Sequence, residues 1–116
     1  MAQPVSWFEI HGKDGRKSRA FYTELFGWEI DASNPMNYGM VNGAEGGIGG
    51  GIAESPVAPM VTIYIAVPNV DEALKKAVSL GAKAVMGPDD VPGGPRIAQF
   101  SDPDGNVIGI MTMPTG

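Results

Sequence analysis

The first clear pattern in the chain is an alternation of apolar and polar side chains over residues 7–11. Alternation with a period of two predicts a strand with two different faces. On one face Phe8 and Ile10 are fully apolar, so they should face a core. The other face carries side chains that each hold a polar atom, namely Trp7, Glu9 and His11.

A helix is predicted directly after this strand. Asp14 can cap it by accepting hydrogen bonds from the first free N–H groups. Phe21 and Leu25 lie four residues apart on one helical face, and Gly27 suits the left-handed position that ends a helix. Three further strands follow in the prediction, at residues 28–31, 37–42 and 43–52. The last of them is rich in glycine, and a linker is predicted after it at residues 53–59.

The same order of elements recurs about 55 residues further along the chain. A strand at residues 62–67 leads into a helix at residues 69–80, where Asn69 and Glu72 have the spacing of a capping box. Three more strands are predicted at residues 82–86, 96–100 and 107–113, with a loop at 87–95 and a hairpin turn at 101–106. The chain therefore reads as one domain of two modules, at about residues 1–57 and 58–116.

This element order predicts an α+β fold of paired βαβββ modules. A helix after the first strand, followed by three strands, favours mixed sheets with the helices on their outer face. The opposite face of each sheet would then be free to curve around a cavity.

Composition narrows the function classes. The chain of 116 residues has a net charge of −5 with only 8 Lys and Arg, so it lacks the basic surface that nucleic acids require. It has no cysteine, which excludes disulfides and thiolate chemistry, and a single histidine, so one chain cannot supply two histidines to a metal. No apolar run approaches the ~20 residues of a membrane helix. A cytoplasmic protein is expected.

Two stretches have the composition, but not the spacing, of a phosphate-binding loop and of a calcium-binding loop. The glycines of residues 43–52 lack the spacing and the Lys-Ser or Lys-Thr of a phosphate-binding loop, although their bare surface could let a ligand or another backbone approach. The aspartates of residues 101–106 lack the further oxygen position and the closing glutamate of a calcium loop. Both are interpreted as structural.

Three segments in the same order and spacing, residues 19–28, 64–71 and 100–106, resemble the vicinal-oxygen-chelate superfamily. This superfamily includes glyoxalases, bleomycin-resistance proteins and extradiol dioxygenases, and it is built from paired βαβββ modules. The resemblance covers nearly the whole chain and implies the fold. It implies no single activity, because one fold hosts many functions.

The resemblance also implies where metal ligands would lie in metal-dependent members. Three of these positions fall on Trp7, Thr62 and Gly109, and the fourth falls within residues 46–51. Indole and glycine offer no ligand side chain, and a threonine hydroxyl alone is a poor one. We therefore expect no metal site at these positions and no other cofactor.

A small-molecule ligand is the expected partner. Trp7, Glu9 and His11 would line the cavity from the first module, and the repeat places further side chains there from the second: Thr62, Tyr64, Met111 and Met113. Aromatic and methionine walls with sparse polar atoms are typical of a ligand pocket. The aromatic residues could instead lie at a homodimer interface, and the methionines could fill the core.

Two functions follow. The first is a metal-free, bleomycin-resistance-like protein that binds an apolar or aromatic molecule as a homodimer. The alternative is a glyoxalase-like lyase or isomerase, or a dioxygenase-type enzyme, that is metal-independent or has a shifted metal site. Its catalytic residues would be Glu9 and His11, roughly 7 Å apart on one strand face, acting as acid and base. A solvated or hydrogen-bonded strand end would explain this pair equally well.

Overall fold

The computed structural model describes residues 2–55 and 57–112, and Met113 lies outside them. Contacts divide the chain into two compact units. The first half is Trp7–Thr62, and the second half is residues 2–6 together with the chain from Ile63 onwards. Two strands cross these boundaries, and each is described with the half that holds most of its residues. Each half is described on its own, and the module boundaries at about residues 57 and 58 stay a prediction.

The first half contains one helix and short strands. These are β1 (Val5–Gly12), α1 (Gly15–Phe26), β2 (Ile30–Asp31), β3 (Gly39–Val41) and β4 (Gly49–Glu54). The strands lie in the order β2-β3-β4-β1. β1 runs parallel to β4, whereas β3 is antiparallel to both of its neighbours. This mixed pairing confirms the predicted βαβββ order.

The second half repeats the arrangement with longer strands. Its elements are β5 (Met60–Val67), α2 (Val70–Ser79), β6 (Lys83–Asp90), β7 (Arg96–Ser101) and β8 (Val107–Thr112). The strands lie in the order β5-β8-β7-β6, with β5 parallel to β8 and β7 antiparallel to β6 and β8. The α+β class and the paired modules are therefore both confirmed.

The predicted helix caps are also confirmed. The Asp14 side chain accepts a hydrogen bond from the backbone N–H of Lys17, and Asn69 accepts one from Glu72. Gly27 has a φ of 72° and its N–H donates to the carbonyl of Thr23, which satisfies one of the last carbonyl groups of α1. Neither helix has the length and apolar character needed to cross a bilayer.

The two halves bury apolar side chains differently. In the second half Val67, Val70, Leu74, Ala98 and Ile110 form a buried cluster. In the first half Phe8 packs against Trp28, which in turn contacts the rings of Tyr22 and Phe26. Phe8 therefore packs with the α1 side of the sheet as expected, although it is half-buried.

Several predicted boundaries were wrong. The strand predicted at residues 28–31 is confined to Ile30–Asp31, and the glycine-rich strand begins only at Gly49 because Gly46, at a φ of 80°, lies in a turn. The linker predicted from Ala53 is wrong at its start, because β4 continues to Glu54. The loop predicted at residues 87–95 is a strand as far as Asp90, where a positive φ at Gly87 lets pairing resume after an irregularity.

Candidate functional site

The polar face of β1 carries a chain of hydrogen bonds that ends at the only histidine of the sequence. The Trp7 indole Nε1–H donates to the Tyr38 hydroxyl at 3.0 Å, and that hydroxyl donates to Glu9 Oε2 at 2.7 Å. Glu9 Oε1 lies 2.6 Å from His11 Nε2. We call these four residues the Tyr38 network. The structure thus brings together Trp7, Glu9 and His11 as the strand pattern predicts.

Both oxygens of the Glu9 carboxylate have a partner in this network. The side chains of Glu9 and His11 are only 14% and 20% exposed, so the carboxylate depends on these hydrogen bonds to offset its lost hydration. An ionised carboxylate can only accept hydrogen bonds. A neutral His11 must therefore carry its proton on Nε2, which leaves Nδ1 with a lone pair that can accept a proton or a hydrogen bond.

Tyr38 is held in place by the segment that precedes β3. The Asn34 side chain accepts a hydrogen bond from the Tyr38 backbone N–H at 2.9 Å and donates one to its carbonyl at 2.6 Å. Between them, Asn37 adopts a φ of 52°, a left-handed conformation that asparagine tolerates better than most residues. The loop at residues 34–38 therefore positions the Tyr38 hydroxyl within hydrogen-bond distance of Glu9 and Trp7.

The glycines of β4 make room for the aromatic rings around this network. A Cβ atom at Gly51 would lie 1.7 Å from the Tyr38 hydroxyl, and one at Gly49 would lie 3.0 Å from the Trp7 ring. A Cβ at Gly50 would lie 2.3 Å from the Phe8 ring. The glycine-rich stretch is therefore structural, as interpreted from the sequence, and the groups that approach its bare backbone are rings of the same half.

Tyr38 is the residue that sequence analysis missed. It was assigned to a predicted strand and given no role, because its contact with Glu9 depends on the folding of β3 and β4 beside β1. One signal could have suggested it. An aromatic residue follows the Asn34-Pro35 turn and precedes a run of glycines, a combination in which the glycines can accommodate a ring.

The second group of predicted ligand contacts is mostly buried. Thr62 and Tyr64 are 3% and 4% exposed, and the Tyr64 hydroxyl accepts a hydrogen bond from Gln99 Nε2 at 2.8 Å. Met111 is half-buried, and its sulfur accepts a hydrogen bond from Ser6 at 3.3 Å. These three residues stay predicted contacts, and little of the Tyr64 or Thr62 surface is open.

The residues at the metal positions implied by the family do not fit a divalent ion. A Cβ atom at Gly109 would lie 2.4 Å from the Tyr64 ring, so the space of a ligand side chain is already taken. The only polar hydrogen of the Trp7 ring is donated to Tyr38. Across residues 2–55 and 57–112, no three histidine, aspartate or glutamate side chains are grouped so that they could hold a metal ion.

Three charged groups that are not members of the network have shifted pKa values. Hydrogen bonds from Ser33 lower the pKa of Asp31, and those from Asn106 lower the pKa of Asp102. The carboxylates of Asp71 and Asp90 raise the pKa of Arg96, which bonds to Asp71 at 2.9 Å. These pairs stabilise local structure.

Comparison with known proteins identifies the class. The model of the Glyoxalase/Bleomycin resistance protein/Dioxygenase superfamily matches residues 5–110, and the chain belongs to this superfamily. It is 30% identical over 116 residues to the protein named "Putative glyoxylase CFP32" of Mycobacterium tuberculosis. It is 27% identical over 124 residues to the anthracycline biosynthesis protein DnrV of Streptomyces peucetius. The alignments cover 90% of this chain but only 44% and 45% of those proteins, so the chain spans less than half their length.

Solved structures support the same fold. A methylmalonyl-CoA epimerase from Streptomyces coelicolor is 16% identical and aligns with a TM-score of 0.69, covering 96% of this chain and 97% of that chain. Homoprotocatechuate 2,3-dioxygenase from B. fuscum is 21% identical and aligns with the same TM-score, covering 96% of this chain and 32% of that chain. At these identities the likeness shows the fold alone.

Proposed function

We propose that the protein binds a small aromatic or apolar molecule without a metal ion, with the ligand held against the Tyr38 network. The observation that carries this proposal is the network itself. It combines two aromatic rings with a carboxylate and an imidazole that are half-buried. Aromatic rings supply contact area for a flat ligand, and a few fixed polar atoms set its orientation.

Two further observations support this assignment. DnrV, the relative from Streptomyces peucetius, is named for the biosynthesis of anthracyclines, which are fused-ring aromatic compounds. The metal positions implied by the family are occupied by Trp7, Thr62 and Gly109, so a ligand here would be held by side chains. A homodimer and a cytoplasmic location remain part of the proposal, with Thr62, Tyr64 and Met111 as its predicted additional contacts.

The test is a calorimetric titration with 1,4-dihydroxyanthraquinone in buffer that contains EDTA. Binding should persist in EDTA, and Trp7→Ala should weaken it at least tenfold, which corresponds to about 1.4 kcal/mol. Trp7→Leu is the milder variant and should show the same loss. Trp28→Phe is the matched control, because Trp28 packs in the aromatic cluster of Phe8, Tyr22 and Phe26. Unchanged affinity in both Trp7 variants would refute this placement of the ligand.

A second function is favoured by the 2.6 Å contact between Glu9 and His11. In a lyase or isomerase reaction, His11 Nδ1 would remove a proton from a carbon next to a carbonyl group, and Glu9 would stabilise the resulting imidazolium. Tyr38 would hold Glu9 in position. A proton on His11 could then be returned to a different atom of the same substrate.

This second function is tested with the hemithioacetal of methylglyoxal and glutathione, since one relative is named a glyoxylase. The enzyme hypothesis expects turnover in EDTA that falls at least a hundredfold in Glu9→Gln and His11→Gln, while the circular dichroism spectrum is unchanged. Catalysis of this type commonly contributes 10²–10⁴-fold. Activity that survives both substitutions would exclude these residues as acid and base.

A further inference from the structure

A groove of about 500 Å³ lies beside α2 in the second half. Its floor is formed by Ile65, Phe100 and Ile108, and its wall by Ala73 and Ala77 on the helix and by Leu80 directly after it. We call it the α2 groove. No residue of the Tyr38 network lines it, so it is independent of the proposed ligand site.

The groove exists because the underside of α2 is only partly filled. The helix packs on the sheet through Val70 and Leu74, which are 1% and 8% exposed. The neighbouring row consists of Ala73 and Ala77, whose methyl groups are too short to fill the space above the strands. Leu80 could fill it but is 71% exposed. An apolar channel therefore stays open to solvent, with a volume in the range of small-molecule sites.

Polar groups line one side of this channel. Lys76, Asn69 and Glu72 all contribute to it and all are exposed. The Asn69 oxygen already accepts the helix-capping hydrogen bond from Glu72 N–H, so its amide N–H groups remain as donors. In the part of the chain that the structure describes, Lys76 forms no ion pair. Its ammonium and the Asn69 amide suit an acceptor-rich head group, and among the described residues that line the groove Glu72 is the one carboxylate.

We propose that the α2 groove binds an amphipathic carboxylate, with an unbranched alkyl chain over Ile65 and Phe100 and the carboxylate beside Lys76. A straight chain fits a channel walled by two alanines one helical turn apart, and its burial is favourable because it removes apolar surface from water. Lys76 then recognises the head group by charge.

Decanoate is the probe, and the full chain is titrated with it by two-dimensional ¹H–¹⁵N NMR. The expected result is saturable shifts centred on Ile65, Ala73 and Ala77. Ala77→Leu should fill the groove and weaken binding at least tenfold. Val78→Leu, which enlarges the adjacent exposed residue, should leave the affinity unchanged. No saturation at millimolar decanoate, or shifts centred on Glu9, His11 and Tyr38, would overturn the proposal.

The head group is tested with a pair of adjacent lysines. Lys76→Gln should weaken decanoate binding about fivefold. Lys75→Gln should not, because Lys75 is exposed on the same helix but does not line the groove. Binding of 1-decanol should be insensitive to both. Both lysines are exposed, so these changes should leave folding intact and the test holds even if Ala77→Leu is unstable. Equal effects of the two lysine substitutions would contradict the proposed head-group contact.

Discussion

The two halves of the molecule share one packing arrangement, a tyrosine ring over a glycine, but the hydrogen-bond partners of the two tyrosines differ. In each half a tyrosine ring covers a glycine of the last strand: Tyr38 covers Gly51, and Tyr64 covers Gly109. The glycines also match in register, because Gly51 is paired with Glu9 of β1 and Gly109 with Tyr64 of β5. In the first half the ring belongs to Tyr38, which directly precedes β3. In the second half it belongs to Tyr64, which lies on β5.

The partners of the two tyrosines explain the difference. Tyr38 is half-buried and bonds to Glu9 and Trp7, which are the groups that we propose contact the ligand. Tyr64 is 4% exposed and bonds to the neutral amide of Gln99, which is itself buried. The same arrangement of ring over glycine is therefore joined to a carboxylate and an imidazole in the first half and to a buried neutral amide in the second.

The largest effect should come from adding a methyl group under the buried Tyr64 ring, and the same change under Tyr38 should cost far less. Gly109→Ala should destabilise the protein by about 2–3 kcal/mol, because the buried Tyr64 ring cannot move away. Gly51→Ala should cost less than about 1 kcal/mol, since the half-buried Tyr38 can rotate toward solvent, but it should disrupt the Tyr38 network. Urea unfolding measures both, with Gly47→Ala as a control in which the new Cβ makes ordinary contact. Equal destabilisation by the two substitutions would contradict the comparison.

Removing each tyrosine hydroxyl should have an intermediate effect. Tyr64→Phe leaves the buried Gln99 amide without this acceptor and should cost about 1–3 kcal/mol. Tyr38→Phe should cost below about 1 kcal/mol, because Glu9 keeps its hydrogen bond with His11 and Tyr38 itself is only half-buried. It should, however, weaken binding of 1,4-dihydroxyanthraquinone. Thermal unfolding and titration of both variants separate the two outcomes, and a Tyr38→Phe variant with full affinity would argue against the network as the ligand site.

The smallest expected effects are on the pKa values of two aspartates, one in each half. Asp31 and Asp102 have lowered pKa values, so their ionised forms stabilise the folded state. That stabilisation is present above the pKa of an unfolded aspartate and is lost as pH falls through the lowered folded value. Ser33→Ala should raise the pKa of Asp31 only, and Asn106→Ala that of Asp102 only. Carboxyl NMR titrations measure both, and an unchanged pKa of Asp31 in Ser33→Ala would refute the assigned cause.

Much of the fold could be predicted because its signals are local. The alternation around Phe8 and Ile10, the caps at Asp14 and Asn69, and the repeated element order all depend on neighbouring residues. The extension of β6 through Pro88 could not be predicted, because proline and glycine there are typical of a loop. Pairing with β7 overrides that preference.

The candidate site was predictable only on one strand. The shared face of Trp7, Glu9 and His11 follows from a period of two. Tyr38 joins them from a segment about 30 residues away, and that contact depends on strand order and on the missing side chain of Gly51. The filling of the Gly109 position by Tyr64 likewise requires the parallel register of β5 and β8. Sequence analysis identified the absence of ligand side chains there but not the ring that replaces them.

We propose that the first half holds its ligand without a metal ion. Native mass spectrometry on protein purified without chelators or nickel affinity resin tests it most directly, because one spectrum reports metal, copurified molecule and oligomeric state. The expected spectrum shows a homodimer whose mass includes no divalent ion, with or without an added organic molecule. One divalent ion per chain at stoichiometric occupancy would contradict it.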